Sequence, residues 1–350
     1  MSRTALVTGA TGFLGRNLVE RLLAEGWRVR AYHRPGSDTA WLAERGVELA
    51  CGVLTDAEAL AAAVPEGGVV FHLAGDTTMW PPHHRRQYVT NVLGTRAAAE
   101  AALRRGARLV HASSIAAYGI QDGAVTEESP RLGTKAPIHY FRTKALAEEE
   151  VERAAARGLD AVVLQPANIV GRHDTRNWSR MIRMVAEGKL PGVPPGGGSF
   201  CHAAEAARTF LVAAERAPSG SQYLLGGADA SYLEVVRLLG RLLGRPAPRR
   251  ATPAVLLHVA ARIALWLSYL SRREPDLTPE TVRLVSSWIT CRSDLAVAEL
   301  GYRPVPLEAM FSDAVSWMRE AGLLPGPETS QPGPQGTTSR PNRRRSSPRR

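Results

Sequence analysis

Short apolar runs alternate with longer segments of helical periodicity along the first half of the chain. The runs predict strands at residues 5–8, 28–32, 47–50, 69–73, 108–113 and 161–165. Helical spacing predicts helices between them, for example at residues 14–25, 85–105 and 139–156. Each helix must bury its apolar stripe against the sheet, so the pattern predicts an α/β fold built on a Rossmann-type, doubly wound parallel sheet.

The alternation ends after Gly171, which sets the first predicted domain at residues 1–171. Residues 172–324 are predicted to form a smaller, mostly helical substrate domain, some segments of which return to the first sheet. Its predicted elements are a loop at 191–198, a strand at 221–225 and helices at 232–243 and 255–270. Residues 325–350 are rich in Pro, Gly, Ser and Arg and are expected to form a disordered basic tail.

An apolar segment at residues 253–271 is nearly long enough to span a bilayer. His258 and Arg262 interrupt it, which favours a buried or pocket-lining helix. If the helix were exposed, it would support a weak association with a membrane surface or guide an apolar substrate.

Charge and cysteine content narrow the classes of partner. The chain carries a net charge of +11, of which the tail contributes +5. The remainder is too weakly basic to predict a specific nucleic-acid partner, although it suits an anionic cofactor. The three cysteines are widely spaced, so neither a disulfide framework nor a metal site is expected. With no export signal evident in the first residues, the protein is expected to be cytoplasmic.

A glycine-rich turn, TGATGFLG at residues 8–15, follows the first predicted strand and opens the first predicted helix. Gly9 allows the tight turn, Gly12 lets the backbone approach a pyrophosphate, and Gly15 permits close packing of helix on strand. The segment expected to contact a dinucleotide comprises Gly9, Thr11, Gly12, Phe13, Leu14 and Gly15.

The choice of dinucleotide depends on the residues after the second strand. An acid at this point would hold the ribose 2′-hydroxyl of NAD. Arg34 stands there instead, and its guanidinium, with Ser37 nearby, would suit a 2′-phosphate, so NADP(H) is favoured. NAD(H) stays open, because Asp38 lies further along the same loop.

Tyr140 and Lys144 lie one helical turn apart in the sequence YFRTK. An ammonium on the same helix face would lower the phenol pKa and make the tyrosine a usable acid or base. Ser114, at the end of the fifth strand, would polarise a substrate carbonyl, with Ser113 as the alternative. Asn91 lies within a helical pattern, where it either bends the helix and supports a proton path or is a packing residue.

These motifs together resemble the extended short-chain dehydrogenase/reductases, the NAD-dependent epimerase/dehydratase family. The resemblance covers residues 4–324 and is strongest to the dihydroflavonol-reductase-like, hopanoid-associated sugar-epimerase-like and 3β-hydroxysteroid-dehydrogenase-like branch. It implies catalysis by Ser114, Tyr140 and Lys144, with support from Asn91. Besides Tyr140 and Lys144, the further cofactor contacts it implies are Leu54, Ala74, Gly75, Pro166, Asn168 and Ile169. The chain departs from the family pattern at Val53, Gln165 and Glu205, where Asp, Arg and Asp are frequent.

A small-molecule substrate is expected beside the loop that follows the fourth strand. The candidate substrate residues are Asp76, Thr78, Trp80 and His139. His83 and His84 lack the spacing and the third ligand of a metal site, so no metal is expected.

Three functions are compatible with these observations. The first is an NADP(H)-linked oxidoreductase that interconverts a carbonyl and an alcohol on a small to medium, fairly apolar substrate. The second is a nucleotide-sugar epimerase or dehydratase, which would retain its cofactor through a redox cycle. The third is a non-catalytic cofactor-sensing protein, against which the intact serine, tyrosine and lysine argue. A homodimer is left open.

Overall fold

The computed structural model describes residues 3–324, so the predicted tail at residues 325–350 lies outside the described residues. The strands are β1 Thr4–Thr8, β2 Arg28–His33, β3 Glu48–Cys51, β4 Val69–His72, β5 Arg108–Ala112, β6 Ala161–Pro166, β7 Asn168–Val170, β8 Gly197–His202, β9 Gln222–Leu225, β10 Ala228–Ser231 and β11 Trp288–Ile289. The helices are α1 Phe13–Ala24, α2 Ala40–Ala43, α3 Ala57–Ala63, α4 His84–Tyr88, α5 Gly94–Arg104, α6 His139–Ala155, α7 Trp178–Ala186, α8 Ala203–Arg216, α9 Tyr232–Leu243, α10 Ala254–Ser271, α11 Pro279–Ser286, α12 Asp294–Leu300 and α13 Leu307–Glu320.

Seven strands form the main sheet in the order β3-β2-β1-β4-β5-β6-β9, and every neighbouring pair is parallel. The central strands are buried along nearly their whole length, as expected for apolar runs covered on both faces. The sequence-based prediction of a Rossmann-type, doubly wound parallel sheet is confirmed.

Alternate residues of β1 enter two separate cores, one on each face of the sheet. Ala5 and Val7 pack with the apolar residues of α1 and α8. Leu6 packs with those of α3, α5 and α6. The sheet is therefore covered by helices on both faces, which leaves its carboxyl edge as the place where loops can build a site.

The second half of the chain builds a smaller sheet and also completes the first one. In the smaller sheet, β8 pairs antiparallel with β10 and parallel with β7 and β11. Helices α7, α9 and α13 form an apolar core beside it. Strand β9 returns to the edge of the main sheet, and Gly197 and Gly198 belong to β8 rather than to the predicted loop.

Two predicted helices differ in the structure. The helix predicted at residues 85–105 is divided, because a π-helical turn at Val89–Leu93 separates α4 from α5. The helix predicted at residues 255–270 forms as α10, but the expectation that it would be buried is wrong. It is long and apolar enough to cross a membrane, and within it only Ala261 and Ser268 are buried.

Candidate active site

Two cavities open at the carboxyl edge of the main sheet, on either side of the glycine loop. The first, which we call the glycine-loop cavity, has a volume of about 390 Å³ and lies between the ends of β1, β2 and β4. The second, the Ser–Tyr cavity, has a volume of about 470 Å³ and contains Ser114 and Tyr140. This edge is where doubly wound sheets bind their ligands.

The glycine loop packs so closely that side chains do not fit at two of its positions. Gly9 has a φ of +73°, and a Cβ there would lie 2.6 Å from the amide nitrogen of Ala74. A Cβ on Gly15 would lie 2.1 Å from the carbonyl oxygen of Gly9. The amide of Gly12 donates to that same oxygen at 2.9 Å, which closes the turn. The loop therefore presents bare backbone at the start of α1, which fits a dinucleotide pyrophosphate.

The cofactor residues expected from the sequence divide between the two cavities. The glycine-loop cavity is lined by Gly9, Thr11, Gly12, Arg34, Leu54, Ala74 and Gly75. The Ser–Tyr cavity is lined by Phe13, Tyr140, Asn168 and Ile169. Leu14, Gly15, Lys144 and Pro166 line neither cavity. Of these four, Gly15 lies against the Gly9 carbonyl, and the carbonyl oxygen of Pro166 accepts from the Ser114 hydroxyl at 3.5 Å.

The loop after β2 brings a cation, and no acid, to the glycine-loop cavity. Arg34 is exposed and lines the cavity together with Ser37. The carboxylate of Asp38 accepts instead from the backbone amide of Ala40 at 3.1 Å, at the start of α2. This arrangement offers a guanidinium and a hydroxyl to a ligand group at the rim of the cavity.

Asn91 lies within the π-helical turn, and its side chain fastens three segments together. Its Oδ1 accepts from the amide of Asp76 at 2.7 Å, while its Nδ2 donates to the Asp76 carbonyl oxygen at 2.9 Å and to Thr143 Oγ1 at 3.0 Å. Both amide hydrogens are thus engaged. In this geometry Asn91 positions the loop after β4 against α6, and its own helix contains a π-helical turn at this point.

Ser114 and Tyr140 meet at the floor of the Ser–Tyr cavity. Ser114 follows β5, Tyr140 lies in the first turn of α6, and both side chains line the cavity. The Ser114 hydroxyl lies near enough to the phenol to lower its pKa. Ser113 is buried, does not line the cavity and lies beside the Glu148 carboxylate. Of the two serines, Ser114 is the one that faces the cavity.

The charges around Tyr140 differ from the sequence-based expectation. Burial raises the pKa of Tyr140, and the nearby Ser114 hydroxyl opposes that rise. Lys144 is not among the groups that shift the pKa of the phenol, and its Nζ donates to the carbonyl oxygen of Ala112 at 2.7 Å. Burial lowers the pKa of Lys144 to about 8, against the attraction of Glu148. The lysine is thus a buried ammonium that is fixed to the end of β5.

Glu148 is a buried carboxylate that the sequence motifs do not reveal. It lies one turn beyond Lys144 on α6, accepts from Gln165 Nε2 at 2.9 Å and lies 3.5 Å from Arg131. Burial raises the pKa of Glu148, while hydrogen bonds from its neighbours lower it. The spacing of Tyr140, Lys144 and Glu148, four residues apart along one helix, is the signal that could have identified it.

The four predicted substrate residues do not line the Ser–Tyr cavity, because each has a polar partner elsewhere. Thr78 donates to Glu274 at 2.6 Å, and Trp80 Nε1 contacts Ser268 Oγ at 3.0 Å. Asp76 pairs with Arg86, and His139 forms a hydrogen bond with Gln87. The loop after β4 turns its alternate residues, Thr77 and Met79, into the cavity instead.

The Ser–Tyr cavity is uncharged and mostly apolar. Besides Ser114 and Tyr140, it is lined by the polar residues Thr77, Asn168, Asn177 and Thr281. No charged side chain and no histidine is among the described residues that line it. The large apolar side chains of its wall include Phe13, Met79, Phe141, Trp178, Met181, Tyr232, Leu284 and Val285. The cavity therefore suits a ligand that is mostly apolar and carries one hydrogen-bonding group for the serine and tyrosine.

Comparisons with known proteins agree with this geometry. The model of the NAD dependent epimerase/dehydratase family matches residues 5–226. The "Sterol demethylase protein B" of Methylococcus capsulatus is 35% identical over 92% of this chain and 100% of its own length. A Stigmatella aurantiaca protein, "4-hydroxy-2-methyl-3-oxo-4-farnesyl-3,4-dihydroquinoline-1-oxide ketoreductase", is 31% identical over 90% of this chain and 96% of its own. The crystal structure of gox2253 superposes with a TM-score of 0.78 at 31% identity, covering 92% of this chain and 99% of that one.

The fold, the glycine loop and the comparisons together define an enzyme that uses a nicotinamide dinucleotide on a Rossmann fold. The chain belongs to the NAD dependent epimerase/dehydratase family. The resemblance inferred from the sequence motifs is thereby confirmed. The family is described as NAD dependent, and similar proteins include a ketoreductase and a 3-beta-hydroxysteroid dehydrogenase, so the chain is assigned to the NAD-dependent enzymes.

Proposed function

We propose that the protein is an NADP(H)-dependent oxidoreductase that interconverts a ketone and a secondary alcohol on an apolar substrate. The observation that carries the proposal is the Ser114–Tyr140 hydroxyl pair, which opens into a cavity whose described lining carries no charge. A nucleotide sugar would bring a diphosphate into this cavity, where no described lysine or arginine side chain is available to neutralise it.

The nicotinamide, when bound, supplies or accepts the hydride at the substrate carbon. In the reductive direction, the Tyr140 hydroxyl donates its proton to the substrate oxygen, and the Ser114 hydroxyl donates a hydrogen bond to the same oxygen. The apolar wall excludes water, which strengthens both interactions. The Lys144 ammonium, which donates to the Ala112 carbonyl oxygen at the end of β5, holds this part of α6 in place and so positions Tyr140.

The names of two relatives support an apolar substrate. One is a ketoreductase of a farnesylated dihydroquinoline oxide, and another is a protein of sterol demethylation. Both names point to lipophilic compounds, which fit the apolar wall of the Ser–Tyr cavity.

Tyr140→Phe tests the proton transfer. We expect turnover of a ketone with NADPH to fall by roughly 10²–10⁴-fold, the usual contribution of a general acid, while NADPH binding is retained. A matched variant, Tyr118→Phe, removes a buried phenol from a residue that does not line the cavity. Equal turnover in Tyr140→Phe and the parent protein would refute the proposed role.

Arg34→Ala tests the choice of dinucleotide. The guanidinium would make a charge-assisted hydrogen bond to the 2′-phosphate, worth about 1.5–3 kcal/mol, so the preference for NADPH over NADH should fall roughly 10–100-fold. An unchanged ratio of the two dissociation constants would remove the argument for NADP(H).

The alternative, an epimerase, would give a different result with the purified protein. It would retain its cofactor tightly and isomerise a UDP- or GDP-sugar, and it would consume no NADPH when offered a panel of ketones.

A further inference from the structure

Helix α10 turns its large apolar side chains outward and its small ones inward. The two buried residues of the helix are Ala261 and Ser268. Val255, Trp266 and Leu270 are 73%, 64% and 69% exposed. A helix on the surface of a water-soluble domain has the reverse arrangement, with its apolar stripe facing the core. The outward face of α10 is therefore matched to an apolar environment.

Most of the large apolar side chains that α10 exposes form one continuous stripe along the helix, which we call the α10 stripe. Arg262 is also exposed and lies at the edge of this stripe. The members of the stripe are Val255, Leu256, Val259, Ile263, Trp266, Leu267 and Leu270. They recur at spacings of three and four residues and so share one side of a helix roughly 27 Å long. An exposed apolar surface of this extent marks a site of interaction.

Both ends of α10 are fastened to the folded body, so the helix lies along the protein rather than projecting from it. Before the helix, the amide of Thr252 donates to the Val193 carbonyl oxygen at 2.7 Å. Near its end, Ser268 Oγ accepts from Trp80 Nε1 at 3.0 Å. A helix held in this way can enter the surface of a bilayer but cannot cross it.

Arginine pairs flank the stripe at both ends of the helix. Residues 249–250 precede it and residues 272–273 follow it, and all four side chains are exposed. The nearest carboxylates in the sequence, Glu274 and Asp276, pair with His83 and Arg180 instead. Within the described residues, the four guanidinium groups are therefore available to an external anion.

This distribution of charge favours a bilayer over a second copy of the chain. A symmetric contact through the α10 stripe would bring like-charged arginines together in a molecule whose net charge is already +11. Anionic lipid headgroups would instead surround the arginines while the stripe enters the acyl boundary.

We propose that α10 docks the protein on the surface of a membrane that contains anionic lipid, with the α10 stripe inserted below the headgroups and the arginine pairs at the level of the phosphates. The points that hold the helix adjoin the wall of the Ser–Tyr cavity. Val193 precedes Pro194, and Trp80 follows Met79, and both Pro194 and Met79 line that cavity. Docking therefore places the cavity wall at the bilayer surface. The proposal does not depend on which reaction the site performs.

Vesicle flotation with the full chain tests the proposal. We expect the protein to float with vesicles of phosphatidylcholine and phosphatidylglycerol in a 3:1 ratio. The triple variant Ile263→Ser, Trp266→Ser, Leu270→Ser should bind at least about 100-fold more weakly, because three large side chains no longer enter the bilayer. Arg250→Ser with Arg273→Ser should weaken binding about 30-fold on these vesicles and little on pure phosphatidylcholine.

The matched control is the double variant Leu295→Ser, Val297→Ser, which removes exposed apolar side chains from α12 and should float like the parent. Retained NADPH binding and an unchanged far-UV spectrum show that the triple variant is folded. Because that variant keeps every residue of the basic tail, equal flotation of variant and parent would assign binding to the tail and overturn the proposal. The proposal is also overturned if the parent does not float but forms a dimer by light scattering that the triple variant loses.

Discussion

Replacing Lys144 with methionine removes a buried ammonium while leaving a side chain of similar length. Burial lowers the pKa of Lys144 from 10.5 to about 8. At pH 7 this shift corresponds to a cost of roughly 3 kcal/mol to the folded state. The unfolded chain binds more protons than the folded one between pH 8 and 10.5, so this cost falls as the pH rises.

At pH 9.5 the cost is about 1.4 kcal/mol, because the folded lysine is then neutral and the unfolded one is still mostly charged. The free energy of unfolding of the parent protein should therefore rise by about 2 kcal/mol relative to Lys144→Met between pH 7 and 9.5. The hydrogen bond to Ala112 is lost in the variant at both pH values, so its contribution cancels in this difference.

Urea unfolding followed by tryptophan fluorescence at the two pH values measures the effect. The chain has only three lysines, Lys135, Lys144 and Lys189, so few other side chains of this type titrate in the same range. Lys135→Met, at an exposed position, controls for the loss of a lysine as such. A constant difference between Lys144→Met and the parent across this range would show that the folded environment does not disfavour the ammonium.

Two further predictions concern other parts of the main sheet. Burial lowers the pKa of His72 from 6.5 to about 3. As the pH falls below 6.5, this histidine is therefore protonated in the unfolded chain but not in the folded one, which favours unfolding. Between pH 7 and 5 the parent should lose about 2 kcal/mol of stability that His72→Gln does not lose, and equal losses in urea titrations would contradict this assignment. In the glycine loop, Gly15→Ala should lower the melting temperature and abolish the thermal shift caused by NADPH, since its Cβ would lie 2.1 Å from a carbonyl oxygen. A Cβ on Gly12 would lie 3.1 Å from the same oxygen, so Gly12→Ala should lower the melting temperature of the protein without NADPH much less. If differential scanning fluorimetry showed the lower melting temperature for Gly12→Ala, the close-approach argument would be refuted.

Local patterns were sufficient to predict the main sheet, the glycine loop and the tyrosine helix. The apolar runs are short and bounded by turns, and the loop joins a strand directly to a helix, so neighbouring residues determine both. The roles of Ser114 and Tyr140 were predicted from the position of Ser114 after β5 and from the family resemblance, whereas Tyr140 reaches the cavity from the start of α6.

The parts that could not be predicted depend on partners far along the chain. Thr78 and Trp80 turn away from the cavity because Glu274 and Ser268, nearly 200 residues later, offer them hydrogen bonds. The exposure of α10 was missed for a related reason. Its residues are as apolar as those of a buried helix, and the sequence pattern does not indicate which face of the helix packs against the rest of the protein.

Strand β9 supplies the last position of the main sheet, next to β6, although more than fifty residues separate the two strands. Helix α8, which precedes β9, covers α1 on one face of that sheet. A nascent chain that has grown only to Gly171 therefore has an open strand edge and an uncovered apolar layer. The Rossmann core cannot close during synthesis until about residue 225 has left the ribosome, which makes the interval between these two points the stage most exposed to aggregation.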